Sequence, residues 1–328
     1  MGGIGAGILF ALEGNQDLGR NESRSARLID ARDYCKLHII AHYPAVLLAN
    51  GGERGFRVLP VGKLGADDVG ARLRREMTEA GMDTSLVESV EGAPTLFSVC
   101  FQYPDGSGGN LTTADSAAAH LTVADVDRSA PFLDSRSIAL AAPEVPLEAR
   151  LRLLELATQR GALRVASFTS GEIPEARKRG ALVTVDLLAL NEDEAAALTE
   201  GARAVADPAS FLKATADAFA ARNPRGKLLL SLGARGAYAW DGRWHHVPAL
   251  PVAVKSTAGA GDALLGGTLT GLALGLPIES AVELGSVVAA FKLSSPHTIP
   301  PDFDLDALRN FAAAHGVTLW PRLAEETR

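Results

Sequence analysis

The residues of this 328-residue chain best suited to chemistry are Gly259, Ala260, Gly261 and Asp262. They stand between Ser256-Thr257-Ala258 and an apolar run of Leu264, Leu265, Leu269 and Leu272. The leucines recur at helical spacing and Gly275 with Pro277 closes the run, so a glycine-rich turn feeds straight into a helix. Gly259 and Gly261 allow backbone conformations that a Cβ forbids, which lets the amides of Ala258 to Gly261 converge on one concavity. That concavity lies at the positive end of the helix, where an anion is stabilised. Asp262 sets a carboxylate beside it. A negative side chain there opposes simple phosphate binding but suits a base that takes a proton from an attacking hydroxyl. The combination points to phosphoryl transfer to an alcohol. A loop with an acidic first helical turn explains the same residues without chemistry, because short glycine motifs carry little information alone.

Such residues must be held by the elements around them. From Ser137 onward, strand and helix patterns alternate. Residues 138–142 read as a strand; Pro146 opens a helix with Leu147, Leu151 and Leu154 inward, which Gly161 closes. Residues 163–168, 183–190 and 228–232 read as further strands, and 278–293 as a helix. This alternation argues for an α/β fold with a doubly wound, mainly parallel sheet flanked by helices, and for ligand at the carboxyl ends of its strands. Asn191-Glu192-Asp193-Glu194, directly after a strand, reads as an N-cap with an acidic first turn. Ser231, Gly233 and Gly236 lie where the next strand runs into a turn, ahead of a hairpin turn at Asp241-Gly242.

The N-terminal part is less regular. Residues 2–12 read as a first strand. Its glycines lack the dinucleotide-binding spacing, since Ile8 stands where a glycine is required and no amphipathic helix follows. Arg20-Asn21-Glu22-Ser23-Arg24 forms a polar cluster ahead of a helix expected over 33–49, which carries Asp33, Tyr34, His38 and His42. The two histidines share a face at a spacing able to hold a metal. They lack the glutamate of a metalloprotease motif and a third ligand, so a structural or substrate-contacting role is the expectation. Residues 58–70 read as a strand, a loop and the start of a helix lined by Val69, Leu73 and Met77 and closed by Gly81; a β run over 95–103 follows. After the turn at 105–109, Asn110, Thr112 and Thr113 either reach a substrate or are solvated.

Ser256 to Gly267 resembles the C-terminal signature of the PfkB, or ribokinase-like, carbohydrate kinases, D-T-T-G-A-G-D-A-F-x-G-G. Val61 to Gly70 resembles the family's V-G-x-x-G-x-D-x-x-G, Asn191 to Glu194 its N-x-x-E, and Ser231 to Gly236 its T-L-G-x-x-G, all in the family's order. Ser256 stands where aspartate is common, and Thr268 where a hydrophobic residue is usual. Gly7 stands where a sugar-binding aspartate ends the first strand; Asp33, Tyr34 and His38 replace a Gly-Gly and an asparagine.

The resemblance implies ATP-dependent phosphorylation of a hydroxyl on a sugar or sugar-like molecule, with Asp262 as base and the amides of Ala258, Gly259, Ala260 and Gly261 stabilising charge. It implies Mg²⁺ organised through Asn191 and Glu194, and a nucleotide near Ser231, Gly233, Gly236 and Ala258. The acceptor is expected at Arg20, Asn21, Asp33, Tyr34, His38 and Asn110. The donors Arg20, Arg24, His38, His42 and Asn110 would suit a modified, acidic or cyclic polyol better than plain ribose or fructose. Segments near 8–30 and 93–113 would form a small β lid, whose open edges imply a homodimer. An uncharged Ser256 implies little activation by potassium. A nucleoside kinase of the same fold and a ligand-binding regulator without turnover are the alternatives.

Composition sets the frame. The length suits one large α/β domain, here expected over 1–328, and 22% charged residues give no sign of disorder. A formal net charge of −7 argues against a nucleic-acid surface. Cys35 and Cys100 imply no disulfide framework and a reducing, cytoplasmic setting, and no apolar run approaches a membrane span.

Overall fold

The computed structural model describes residues 1–49, 56–201 and 207–319. Its strands are β1 (Gly5–Leu12), β2 (Ala26–Tyr34), β3 (Gly62–Gly65), β4 (Val87–Val90), β5 (Leu96–Gln102), β6 (Gly108–Thr112), β7 (Ile138–Ala141), β8 (Leu163–Ser167), β9 (Leu187–Asn191), β10 (Lys227–Ser231), β11 (Ala237–Trp240) and β12 (Trp244–Val247). Its helices are α1 (Lys36–Pro44), α2 (Asp68–Glu79), α3 (Val123–Asp127), α4 (Leu147–Arg160), α5 (Ile173–Lys178), α6 (Ala181–Thr184), α7 (Glu192–Leu198), α8 (Pro208–Ala220), α9 (Ala260–Ala273), α10 (Ile278–Leu293) and α11 (Leu305–Ala314). None of the described helices is long and apolar enough to cross a membrane.

The main sheet runs β12-β11-β10-β9-β8-β7, with β7 to β10 mutually parallel and the β11–β12 hairpin antiparallel at its edge. Residues 1–4 continue it beside β7, bonded through Met1 N to Leu140 O and Ala142 N to Met1 O. The chain order therefore reverses next to β7, which opens a crevice beyond the carboxyl ends of the strands. Side-chain alternation covers both faces. Leu188, Leu190, Leu228 and Leu230 pack towards Leu153, Leu154 and Phe211 of α4 and α8. Leu187, Ala189 and Leu229 pack towards Leu264, Leu265 and Leu269 of α9 and Ile278 and Val282 of α10.

A second sheet, in the order β2-β1-β5-β6, stands over that crevice; β1 and β5 are parallel and the outer pairs antiparallel. It occupies the segments expected to form a lid. The strand expected over 183–190 begins only at Leu187, because residues 181–184 make a short helix. In the stretch 58–70, expected as a strand, a loop and a helix start, Val58 makes a single bridge to Met82, β3 starts at Gly62 and α2 at Asp68. The largest departure concerns the helix expected over 33–49. Asp33 and Tyr34 are the last residues of β2, held there by pairing with Gly7 and Ala6 of β1. Cys35 is extended, and the α-helix begins at Lys36. Pro44 has no N–H to continue the α ladder, and residues Ala45–Ala49 take a π-helical turn.

Candidate active site

The α9 turn reaches its anion geometry through one glycine rather than two. Gly259 caps the helix in the left-handed conformation at φ 75°, a region that penalises any Cβ. Gly261 is instead an ordinary helical residue, so the expectation of an unusual backbone there is corrected. Nothing lies within 4 Å of where its Cβ would point, and it borders the crevice. The amides divide likewise. Ala258 N donates to Ser256 Oγ at 3.3 Å and Ala260 N to Thr257 O at 3.2 Å. Those of Gly259, Gly261 and Asp262 carry no protein acceptor among the described residues and stand at the positive helix end.

Asp262 lies at the floor of a cleft of about 970 Å³, the size of a small-molecule site. Its Oδ1 is 3.6 Å from Lys36 Nζ. Burial pushes the Asp262 carboxyl above its ordinary pKa and the Lys36 ammonium pulls it back; the same attraction drives the Lys36 pKa upward. Lys36 is a member of the site that the sequence reading missed. The helix expected over 33–49 buries it in a helix interior, whereas it opens α1 one residue beyond Cys35 and lines the crevice. The one legible signal was a lone cation between apolar neighbours.

Glu144, also missed, follows β7. It holds a left-handed backbone at φ 72°, unusual for a side chain of this size, and its Oε2 accepts the Lys36 N–H at 3.1 Å. Burial raises its pKa to about 7, opposed by Lys36. At the junction of β9 and α7, Asn191 and Glu194 form a reciprocal capping box: Asn191 Oδ1 accepts Glu194 N at 2.9 Å and Glu194 Oε2 accepts Asn191 N at 2.8 Å. The capping explanation is thus fulfilled, yet both residues also line the cleft, and burial lifts the Glu194 pKa to about 7. Ser231, the last residue of β10, borders the deep end with Gly261 and Asp262. Gly233 and Gly236 shape the turn into the β11–β12 hairpin and are not among the cleft-lining residues.

On the lid side the acceptor candidates separate. Asp33, Tyr34 and Asn110 line the cleft, with Ser98, Cys100 and Gln102 of β5 beside them. Asp33 is 1% exposed; burial raises its pKa while hydrogen bonds, among them the Tyr34 N–H at 2.9 Å, oppose the rise. Its Oδ2 is 3.3 Å from where a Cβ on Gly7 would stand. Arg20 and Asn21 do not line the cleft: they sit exposed in the β1–β2 connection, where Arg24 is spent on Glu22. His38 is not there either. It is buried against the Tyr34 ring at 4.5 Å, and burial lowers its pKa to about 3 and that of His42 to about 4. Both are neutral packing residues, and no cluster able to cage a metal occurs among the described residues.

A parallel α/β sheet with its crevice at a chain reversal, a glycine-capped helix turn bearing a carboxylate, and a β sheet standing over both define a ribokinase-like protein. The chain belongs to the pfkB family of carbohydrate kinases, whose model matches residues 45–304. It is similar to the bifunctional protein HldE of Bradyrhizobium diazoefficiens, 27% identical over 261 residues that cover 75% of this chain and 50% of that protein. The chain thus spans about half the length of this curated relative. Among solved structures it is similar to the ribokinase of Giardia lamblia, with a TM-score of 0.78 at 18% identity over 94% of this chain and 97% of that one. The nucleoside kinase of Burkholderia thailandensis, solved with inosine, gives a TM-score of 0.74 at 19% identity over 96% and 97%.

Proposed function

We propose that the protein transfers a phosphoryl group from ATP to a hydroxyl of a neutral sugar or sugar-like acceptor. The observation that carries this reading is the convergence on one cleft of the Asp262 carboxylate, the Lys36 ammonium and the open amides of Gly259 and Gly261. Asp262 takes the proton of the attacking hydroxyl. Lys36 keeps that carboxylate ionised despite its burial and lends positive charge to the group in transfer; the amides and the α9 end stabilise the charge that develops. The donor set suits a divalent cation that keeps mostly phosphate and water oxygens: two carboxyls with raised pKa values, Glu194 and Glu144, face the cleft without forming a cage. Mg²⁺ would be held through Asn191 and Glu194, and would neutralise phosphate charge.

The acceptor reading shifts with the structure. Arg20, Arg24, His38 and His42, the donors that favoured an acidic substrate, lie away from the cleft, whose lining carries Asp33, Glu144, Glu172, Asp193, Glu194 and Asp262 against Lys36. An acidic acceptor would be repelled; hydroxyl donors would be gripped by Asp33 and Asn110. Leu9, Tyr34, Ile39 and Phe101 add an apolar wall, which keeps a nucleoside as the second reading. A panel of sugars, polyols and nucleosides, scored by stabilisation in the presence of a nonhydrolysable ATP analogue, separates the two. For the best acceptor, Asp262→Asn should lower kcat by about 10²–10⁴ while nucleotide binding persists. A variant that turns over near the wild-type rate, freed of contaminating kinase, removes Asp262 as base. That test also distinguishes an enzyme from a binding protein.

A further inference from the structure

The fold buries one lysine for which the reaction above has no use. Lys292, near the end of α10, has no solvent exposure, and its Nζ donates to the main-chain oxygen of Ser256 at 2.8 Å. No carboxylate among the described residues pairs with it; Asp33 and Asp30 act only from further off, and the Asp30 carboxylate is bonded to His297 at 2.9 Å. Burial lowers its pKa to about 8, so the ammonium still predominates at neutral pH. A buried cation without a paired anion is an expensive feature, and an apolar side chain of the same length would fill the space with less penalty.

What the lysine holds is the entry to the anion turn. Ser256 is fully buried, and both of its polar ends are committed: the carbonyl to Lys292, the hydroxyl to the Ala258 N–H. One residue earlier, Lys255 N donates to Leu293 O at 2.8 Å, tying the same loop to the end of α10. On the far side, Thr298 packs against the turn, its Cβ 3.2 Å from where a Cβ on Gly259 would stand. The turn therefore hangs between two parts of one segment, and the group that holds the Ser256 carbonyl is an ammonium.

We propose that Lys292 is a positioning residue for phosphoryl transfer, a built-in cation that fixes the loop entering the anion turn and places positive charge beneath it. Without it the same carbonyl would be left to water or to a monovalent ion from solution. The inference rests on the kinase reading of that turn and adds a residue to it.

The test compares wild type with Lys292→Met, Lys292→Ala and Lys292→Arg, each checked for a cooperative melt. Mg·ADP affinity is measured by calorimetry and turnover with the best acceptor, in tetramethylammonium buffers at fixed ionic strength, with or without K⁺ or NH₄⁺. Wild type should change by less than about twofold on adding either ion, and Lys292→Met should lose about 10²-fold in kcat through misplacement of the turn. Lys292→Ala leaves room for a small cation, so K⁺ or NH₄⁺ should restore it severalfold while Lys292→Met stays low; Lys292→Arg, which keeps the charge, should retain more activity than either. Unchanged turnover in Lys292→Met, or stimulation of wild type by K⁺ of about tenfold or more, overturns the proposal; this wild-type arm decides even if both truncations fail to fold. The kinase reading fails separately, by an absence of Mg·ADP binding to wild type, and takes this proposal with it.

Discussion

Asp262 and Glu194 share a predicament: each is a carboxyl taken out of water and kept close to Lys36. Burial raises both pKa values, that of Glu194 to about 7. Its sign for stability follows directly. An acid that binds its proton more tightly when folded stabilises the fold below its unfolded pKa of about 4.5, and that contribution is lost as pH rises towards 7. Glu194→Gln keeps an oxygen for the Asn191 N–H and carries no charge, so it should melt at a higher temperature than wild type at pH 8 and show a shallower fall between pH 5 and 7.5. It should also lose much of its Mg²⁺-dependent turnover. Equal melting profiles for the two proteins across that range would show that Glu194 titrates normally. Asp262 and Glu194 were legible in the sequence because each follows a turn or strand end with its own local signature. Lys36 and Glu144 were not, since what makes them members of the site is the meeting of strand ends far apart in the chain.

At the scale of the element, the α9 turn separates two glycines that look alike in sequence. Gly259 takes a left-handed backbone, whereas Gly261 is helical with open space where a side chain would stand. Gly259→Val should therefore destabilise the protein by more than about 1 kcal/mol, the usual penalty of a left-handed conformation. Gly261→Ala sits in helical geometry with open space around the new methyl, and should hold or raise stability by up to about 0.5–1 kcal/mol. It should nevertheless lower kcat, because the methyl points into the space proposed for phosphate. Chemical denaturation with parallel kinetics checks the pair, and a Gly261→Ala enzyme with full activity would place the phosphate elsewhere. Helices α4, α9 and α10 were readable from leucine spacing and caps. The β2–α1 junction was not: Asp33, Tyr34 and Cys35 carry no stop signal, and only pairing with β1 keeps them extended.

For the whole molecule, the order of motifs foretold the crevice, because the segments after β7, β8 and β9 deliver residues to it and Ser231, at the end of β10, borders its deep end. The lid was legible as β-rich segments, but its four-stranded order depends on pairings between strands up to some ninety residues apart. Its outer strand β6 is exposed along its length, and Leu28, Phe97 and Leu111 are exposed on the same sheet at 51%, 36% and 72%. An open edge beside uncovered apolar side chains favours pairing with a second copy. A homodimer is expected by light scattering at micromolar concentration, and Leu111→Lys should weaken it; a wild-type monomer with and without ligand refutes this. The same sheet holds Gly7 and Asp33 as cross-strand partners, with the Asp33 carboxylate beside the space a side chain at position 7 would need and Ser98 already closing the rest. The two positions behave as one berth for one acid. Gly7→Asp should strain the sheet by about 1–3 kcal/mol unless Asp33 is emptied at the same time, so in kindred chains an acid at either strand should exclude an acid at the other, and grafting a sugar pocket onto this fold means moving the berth's occupant rather than adding a second.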